Sequence, residues 1–250
     1  MDLGLRGRRA AVAAASAGLG LGAAKALAAE GVAVAVCGRN RERVDAAVAQ
    51  LDEGAVGLVA DMADADQAAG FVAEAAERLG GTVDIVVANA GGPPPGTFAS
   101  TDLDAYRDAV DLNLLSSIAM CRAAVPAMQA QGWGRVVAVT SIGVRQPPPH
   151  LMASATARAG LTAFLKVLAT EVAADGVTVN SVQPGLHDTE RVRQLHGGAA
   201  PDEVAAGIPV GRIGDADDFG AVVAFLCSEQ ARFVTGTGLL VDGGAYPGLL

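Results

Sequence analysis

The residues able to do chemistry in this chain come in short polar or glycine-bearing patches, each closing an apolar run. Ser16-Ala17-Gly18-Leu19-Gly20 follows the small apolar residues Ala10 to Ala15 and opens an Ala-rich segment, Leu19 to Glu30, fit for a helix. A strand that stops at glycines and feeds straight into a helix exposes the first backbone N–H groups. These, with the helix dipole, attract phosphate. Gly18 and Gly20 carry no Cβ, so a diphosphate can come close to the backbone; an ordinary helix-start turn reads the same way. A second group lies further along. Ser154 and Arg158 are one turn apart on one helix face and put a hydroxyl beside a cation that cannot shuttle protons. His150, a turn before Ser154, titrates near neutral pH and could lend a proton. A histidine beside Pro147-Pro148-Pro149 is as readily a plain exposed loop residue.

The elements that must position these patches alternate regularly. After the first strand, apolar runs at Val32–Cys37, Val56–Ala60, Val83–Ala88, Arg135–Thr140, Thr178–Val182 and Gly238–Val241 read as strands. Between them, helical spacing runs over Arg41–Leu51, from a cap at Asp64 to Leu79, over Leu151–Ala174 and over Asp215–Ser228. Thr101 with Asp104 forms a capping-box pattern that opens a long helix to about Met128. Gly92 to Gly96 and the three prolines at 147–149 are loops. Strands alternating with helices require right-handed crossovers and a parallel sheet covered on both faces. The fold class is therefore α/β, a doubly wound Rossmann-type sheet of about seven parallel strands. Arg39, Asp61, Asn89–Gly91, Ser141 and Pro184 all fall at strand carboxyl ends, where ligands of open α/β sheets bind. No linker or repeat interrupts the pattern, so residues 1–250 read as one domain.

Composition narrows the function. A net charge of −9 argues against nucleic acid as a partner. No segment is long and apolar enough for a membrane span, and Met1 to Arg9 shows no signal-peptide pattern, so a cytoplasmic protein is expected. The three cysteines, Cys37, Cys121 and Cys227, are far apart and support neither a disulfide framework nor a zinc site; no metal is expected.

Taken together the motifs resemble those of the short-chain dehydrogenase/reductase family, over nearly the whole chain. Within the family the likeness is greatest to bacterial proteins of the 3-oxoacyl-ACP-reductase-like group. The family's glycine motif falls on Ala13 to Gly20, its Asn-Ala-Gly on Asn89-Ala90-Gly91, its helix asparagine on Asn113 and its catalytic serine on Ser141. The loop over the nicotinamide falls on Pro184-Gly185-Leu186 and Thr189, and the carboxyl-terminal signature on Val241-Asp242-Gly243-Gly244. The resemblance implies a dinucleotide along Ser16, Ala17, Gly18, Leu19 and Gly20, with Asp61 and Met62 at the adenine and Asn89, Ala90 and Gly91 beside the cofactor. Capping and turn roles are the plain alternatives for Asp61 and Asn89. Arg39 stands where NAD-preferring relatives carry an acid, and an arginine there suits a 2′-phosphate; a solvated surface arginine is the alternative. NADP(H) is thus the preferred cofactor, with NAD(H) possible, although Ala17 lacks the basic residue of many NADP-preferring relatives. The resemblance also implies a homotetramer, or a dimer, paired through the helices Asp102–Met128 and Leu151–Ala174.

Two departures from the family's pattern matter. Its leading Thr-Gly is Ala13-Ala14 here, and alanine fits that turn only with a negative φ, which would reshape it. Its Tyr-x-x-x-Lys pair falls on Ser154 and Arg158, and neither Tyr106 nor Tyr246 is in register. A serine hydroxyl is a far weaker acid than a tyrosine, whose pKa is about 10. Arg158 can still bond ribose hydroxyls as the family's lysine does. The implied function is an NADP(H)-dependent oxidoreductase acting on a small or carrier-bound carbonyl, enone or imine with a non-standard proton donor. Asn113, Ser141, Ser154, Arg158 and His150 are its candidate catalytic residues, and His187 a candidate substrate contact. The alternatives are a non-redox lyase, isomerase or cyclase on the same fold, or a catalytically silent nucleotide-binding protein.

Overall fold

Alanine and valine dominate the strands, and short side chains of this kind let helices lie close on both faces of a sheet. In the computed structural model, which describes residues 2–51, 54–195, 197 and 201–249, the strands are β1 (Arg9–Val12), β2 (Ala33–Gly38), β3 (Val56–Val59), β4 (Ile85–Ala88), β5 (Gly134–Val139), β6 (Val177–Pro184) and β7 (Gly238–Val241). They form one seven-stranded sheet in the order β3-β2-β1-β4-β5-β6-β7, with every pair parallel. The order reverses between β1 and β4, so a crevice opens there at the carboxyl ends.

Alternation along each strand sends side chains to opposite faces. From β1, Ala11 joins a core with Phe71 and Val72 of α3 (Ala65–Arg78), Met120 and Met128 of α5 (Ser116–Gln131), and Leu161 and Leu165 of α6 (Met152–Val172). Its neighbours Ala10 and Val12 join the other core, with Leu27 of α1 (Gly18–Ala29) and Phe219 and Val223 of α9 (Ala216–Cys227). α1 and α9 touch backbone to backbone. A Cβ on Gly22 would run into the Ala216 carbonyl, and one on Gly220 into the Gly22 carbonyl. At the amino-terminal end of the sheet, Arg135 is buried 4.2 Å from the Trp133 ring and 3.9 Å from the Glu229 carboxylate, on the side away from the crevice.

The expected strands all form. Asp64 caps α3, accepting from the Asp66 and Gln67 N–H groups. The long helix expected from Thr101 differs in two respects. Its cap is Asp102, whose carboxylate accepts from Ala105 N–H at 2.8 Å, while the capping box forms at Thr97 and Ser100 around a 3₁₀ turn. A carboxylate one residue later takes the cap because Thr101 itself ends that turn. The helix is also split: α4 (Leu103–Val110) passes through a π turn, Asp111–Leu115, before α5. α2 (Arg41–Val48) is shorter than expected, and two short helices, α7 (Glu190–Leu195) and α8 (Pro201–Ala205), form where no element was expected. Among the described residues no helix is long and apolar enough to cross a membrane, and no group of side chains is arranged to hold a metal.

The cysteines lie in three different elements, all buried and unpaired. Burial pushes each thiol up to about 12.

Candidate active site

The turn between β1 and α1 is held in shape from the end of β4. Ala14 keeps a left-handed backbone, φ 46°, where a negative φ was expected. The Asn89 amide explains how: its Nδ2 donates to the carbonyls of Ala13 at 3.2 Å and Ala14 at 3.1 Å, pinning the turn to the end of β4. Gly20 must lack a side chain, since a Cβ there would lie 2.7 Å from the Ala14 carbonyl and 2.8 Å from Asn89 Nδ2. Ala17 caps α1 without a side-chain bond, and no acid occupies the first turn. The amino terminus of α1 therefore presents free N–H groups and an uncompensated dipole. Ser16 packs beneath, close enough that a Cβ on Gly38 would meet its hydroxyl at 3.0 Å.

Along the crevice, Arg39 stands exposed just past β2, with no hydrogen bond or ion pair among the described residues. Asp61 is half-buried after β3; its Oδ1 accepts from Ala63 N–H at 2.9 Å and its own N–H donates to Gln67 at 3.0 Å. Met62 points into the core, so only its backbone is available to a ligand.

At the carboxyl end of β5, Ser141 caps a 3₁₀ turn, its Oγ accepting from Gly143 N–H at 2.9 Å. Its own hydroxyl proton remains available to donate. Asn113, buried in the π turn, donates from Nδ2 to the Gly91 carbonyl at 2.9 Å, and its Oδ1 has no partner among the described residues. Arg158 is buried, only 8 % exposed. Nη1 donates to the Val139 and Thr140 carbonyls at 2.7 and 3.2 Å, and Nε donates to Ser154 Oγ at 3.4 Å. Burial, reinforced by the like charge of Arg191, pulls this guanidinium down to about 10, which leaves it a cation at neutral pH. Tyr106 packs beside Ala153 and Ala157, on the neighbouring face of α6. His150 is exposed; its carbonyl accepts from Gly96 N–H at 2.8 Å, and its ring makes no hydrogen bond among the described residues.

The loop after β6 closes over the turn. Gly185 lies against the Asp242 backbone, where a Cβ would approach within 2.8 Å. The Leu186 carbonyl accepts from Gly214 N–H at 3.0 Å, and the Thr189 methyl sits 3.4 Å from where a Cβ on Gly18 would be. His187, a candidate substrate contact, turns inward. It is 3 % exposed, edge-on to Phe219 at 5.2 Å, with Nδ1 against the Gly185 carbonyl at 3.2 Å. Burial holds it below the ordinary histidine range. His196 lies outside the described residues. The sequence reading stopped at Thr189 and so missed Arg191. The first turn of α7 carries its guanidinium back across Gly92 to donate to the Pro93 carbonyl. The signal was there in Thr189-Glu190-Arg191, a helical start directly after the loop threonine.

An open parallel sheet with a glycine-bearing first β–α turn, its polar loops gathered at the same crevice, defines the Rossmann class of α/β proteins. Residues 13–246 match the family model described as Enoyl-(Acyl carrier protein) reductase. The chain is 37% identical over 170 residues to the 3-oxoacyl-(acyl-carrier-protein) reductase FabG of Salmonella typhimurium, covering 66% of this chain and 68% of that one. It is 34% identical over 211 residues to the human dehydrogenase/reductase SDR family member 4, covering 82% and 76%. L-Sorbose reductase from Gluconobacter frateurii, solved with NADPH and L-sorbose, superposes with a TM-score of 0.93 at 28% identity over the full length of both chains. The chain belongs to the short-chain dehydrogenase/reductase family and is an oxidoreductase of that type.

Proposed function

We propose that this protein is an NADP(H)-dependent oxidoreductase acting on a small or carrier-bound carbonyl, enone or imine, with a proton route that uses no tyrosine. The observation that carries the nucleotide reading is the bare amino terminus of α1 at Gly18 and Gly20, in a turn packed so tightly that a Cβ on Gly20 would collide with the Ala14 carbonyl and the Asn89 amide. The residues fit the group: Asn89 keeps the turn in shape, Arg39 offers an unengaged guanidinium to a 2′-phosphate, and the Met62 backbone and Asp61 flank the adenine position. Pro184, Gly185, Leu186 and Thr189 close over the other end. When bound, the nicotinamide supplies or accepts a hydride. NADPH in the sorbose reductase complex and the acyl-carrier substrate in the name of the FabG relative support the cofactor and substrate classes.

The chain's own groups then orient and polarise. Ser141, its Oγ accepting from Gly143 N–H, donates a hydrogen bond to the substrate oxygen and keeps its proton. Arg158 fixes Ser154 and holds a positive charge where charge on a substrate oxygen develops. General acid help of the usual kind is worth ~10²–10⁴ in rate. A site without tyrosine therefore suits acceptors that need little of it, an iminium above all, since it arrives already protonated. By resemblance we also infer a cytoplasmic homotetramer. NADPH oxidation over a panel of ketones, enones and cyclic imines, read beside thermal protection by NADPH, tests the proposal. Turnover of enones or imines well above ketones is expected. Protection without any turnover would favour the non-redox or silent alternatives, and brisk ketone reduction would show that another group, His150 first, delivers the proton.

A further inference from the structure

The segment that follows β6 crosses the mouth of the crevice as a strap, residues 186–193. Its root is fixed. Asp188 N–H donates to the Gly214 carbonyl at 2.8 Å, Gly214 N–H donates to the Leu186 carbonyl at 3.0 Å, and the His187 ring is buried edge-on to Phe219. Beyond the root, Thr189 lies over the β1–α1 turn, its methyl 3.4 Å from where a Cβ on Gly18 would be. Glu190 then reaches to α2, where its carboxylate meets the Arg43 guanidinium at 2.7 Å. Arg191 reaches the other way, to the Pro93 carbonyl in the loop after β4. In the sheet, β1 lies between β2 and β4, so residues 189–191 bridge the point where the strand order reverses.

No residue of α7 is buried, so no core side chain anchors this bridge. Asp188 is taken within the strap by Arg193, at 2.8 and 2.9 Å, and Arg191 spends its hydrogen bond on a carbonyl. Among the described residues, Arg43–Glu190 is therefore the one salt bridge that ties the strap to another element. Arg43 is itself held in place. Its backbone N–H donates to Asn40 Oδ1 at 2.9 Å in the cap of α2, and the nearby Arg41 is engaged with Asp45 and the Gly57 carbonyl. The paired side chains are 52 % and 58 % exposed. An ion pair so placed contributes little, and salt weakens it. A weak tie at the tip of a firmly rooted segment closes without locking.

We propose that the Arg43–Glu190 ion pair latches this strap over the crevice and so sets the rate at which a bound nucleotide leaves. The proposal rests on the nucleotide reading of the crevice and adds to it a pair of positioning residues, one on α2 and one on α7. They act on release through the strap, as closing loops do in enzymes whose exchange step is slow.

The test reads NADPH release from the full chain by stopped-flow fluorescence, with excess NADP⁺ as competitor at about 50 mM salt. Glu190→Gln and Arg43→Gln should each speed release about two- to five-fold. The double variant should do no more than either alone, since one interaction is lost in all three. Arg43→Glu with Glu190→Arg should restore most of the wild-type rate, and the gap between wild type and Glu190→Gln should close by about 0.5 M salt. In the nucleotide-free chain, amide hydrogen exchange of residues 186–193 should be faster in Glu190→Gln, and faster in wild type at the higher salt, with β1 unchanged. Additive effects of the two single changes, a reversed pair that does not recover, or strap exchange indifferent to salt in wild type would overturn the latch. So would a loss of NADPH affinity confined to Arg43→Gln, since Arg43 would then serve the nucleotide and not Glu190. Faster strap exchange in Glu190→Gln, in a protein whose wild type binds no NADPH, would support the latch and count against the nucleotide reading alone.

Discussion

Ala14 carries a methyl group through a left-handed turn that a glycine would take freely. The left-handed region costs an L-residue about 1–2 kcal/mol, and glycine loses about 0.4–1 kcal/mol through its looser unfolded chain. Ala14→Gly should therefore gain between roughly 0 and 1.6 kcal/mol in denaturant unfolding, with unchanged nucleotide affinity; a loss would mean that Asn89 does not hold the turn as described. Arg39 has no partner to lose among the described residues, so Arg39→Asp should leave stability alone while reversing preference from NADP(H) to NAD(H). Protection midpoints for both cofactors measure it, and equal midpoints in wild type would refute the preference. Ser154→Tyr with Arg158→Lys should raise ketone reduction by ~10-fold or more, since it supplies an acid whose pKa a neighbouring cation lowers. Neither change alone should do so, because the two act as a unit. The positions of Arg39, Asp61, Asn89 and Ser141 at strand carboxyl ends were legible because each closes an apolar run, whereas Ser154 and Arg158, inside α6, were singled out only through the family's helix motif. What the sequence could not show was direction. His187 sits in the same loop as Thr189, yet packing against Phe219 and Gly214 turns it inward. Arg191 was passed over because an arginine after a loop reads as solvated until its acidic neighbours are seen to be engaged elsewhere.

Among the elements, α1 and α9 meet closely because Gly22 and Gly220 leave each backbone bare. A methyl at either position meets carbonyl oxygen instead of a side chain that can swing away. Overpacking usually costs about 1–3 kcal/mol, and Gly220→Ala should reach the upper part of that range by denaturant titration. Because α1 also presents its amino terminus to the crevice, the same variant should weaken NADPH protection; an unaffected midpoint would place the helix contact outside the site's support. Strands were legible throughout, since β-branched runs ending at glycine or a polar residue are strong local signals. The split between α4 and α5 was not. A π turn adds one residue to a helical turn without changing which residues look apolar, so nothing local marks Asp111–Leu115. Its effect is to aim the Asn113 amide at the Gly91 carbonyl. The Thr101 cap failed for a related reason: three consecutive polar residues, Ser100, Thr101 and Asp102, could each cap, and tertiary context chose the last.

At the scale of the whole molecule, Leu103 on α4 and Val167 on α6 are 72 % and 68 % exposed. These lie on the two helices expected to pair across subunits. Sedimentation of the purified protein should give a tetramer's mass, and Leu103→Asp with Val167→Asp should reduce it; a wild-type monomer would sink the assembly. The buried thiols give the molecule a built-in clock. Cys37 and Cys121 belong to one core and Cys227 to the other. With burial pushing the thiols up to about 12, almost no thiolate is present at pH 8 to attack a disulfide reagent in the closed protein, and each labelling event records an opening. If the two helical layers separate from the sheet independently, Cys227 will be tagged at its own rate. If the sheet lets go of both at once, all three sulfurs will be tagged together, and a mass spectrum taken partway through will hold only untouched and fully labelled chains.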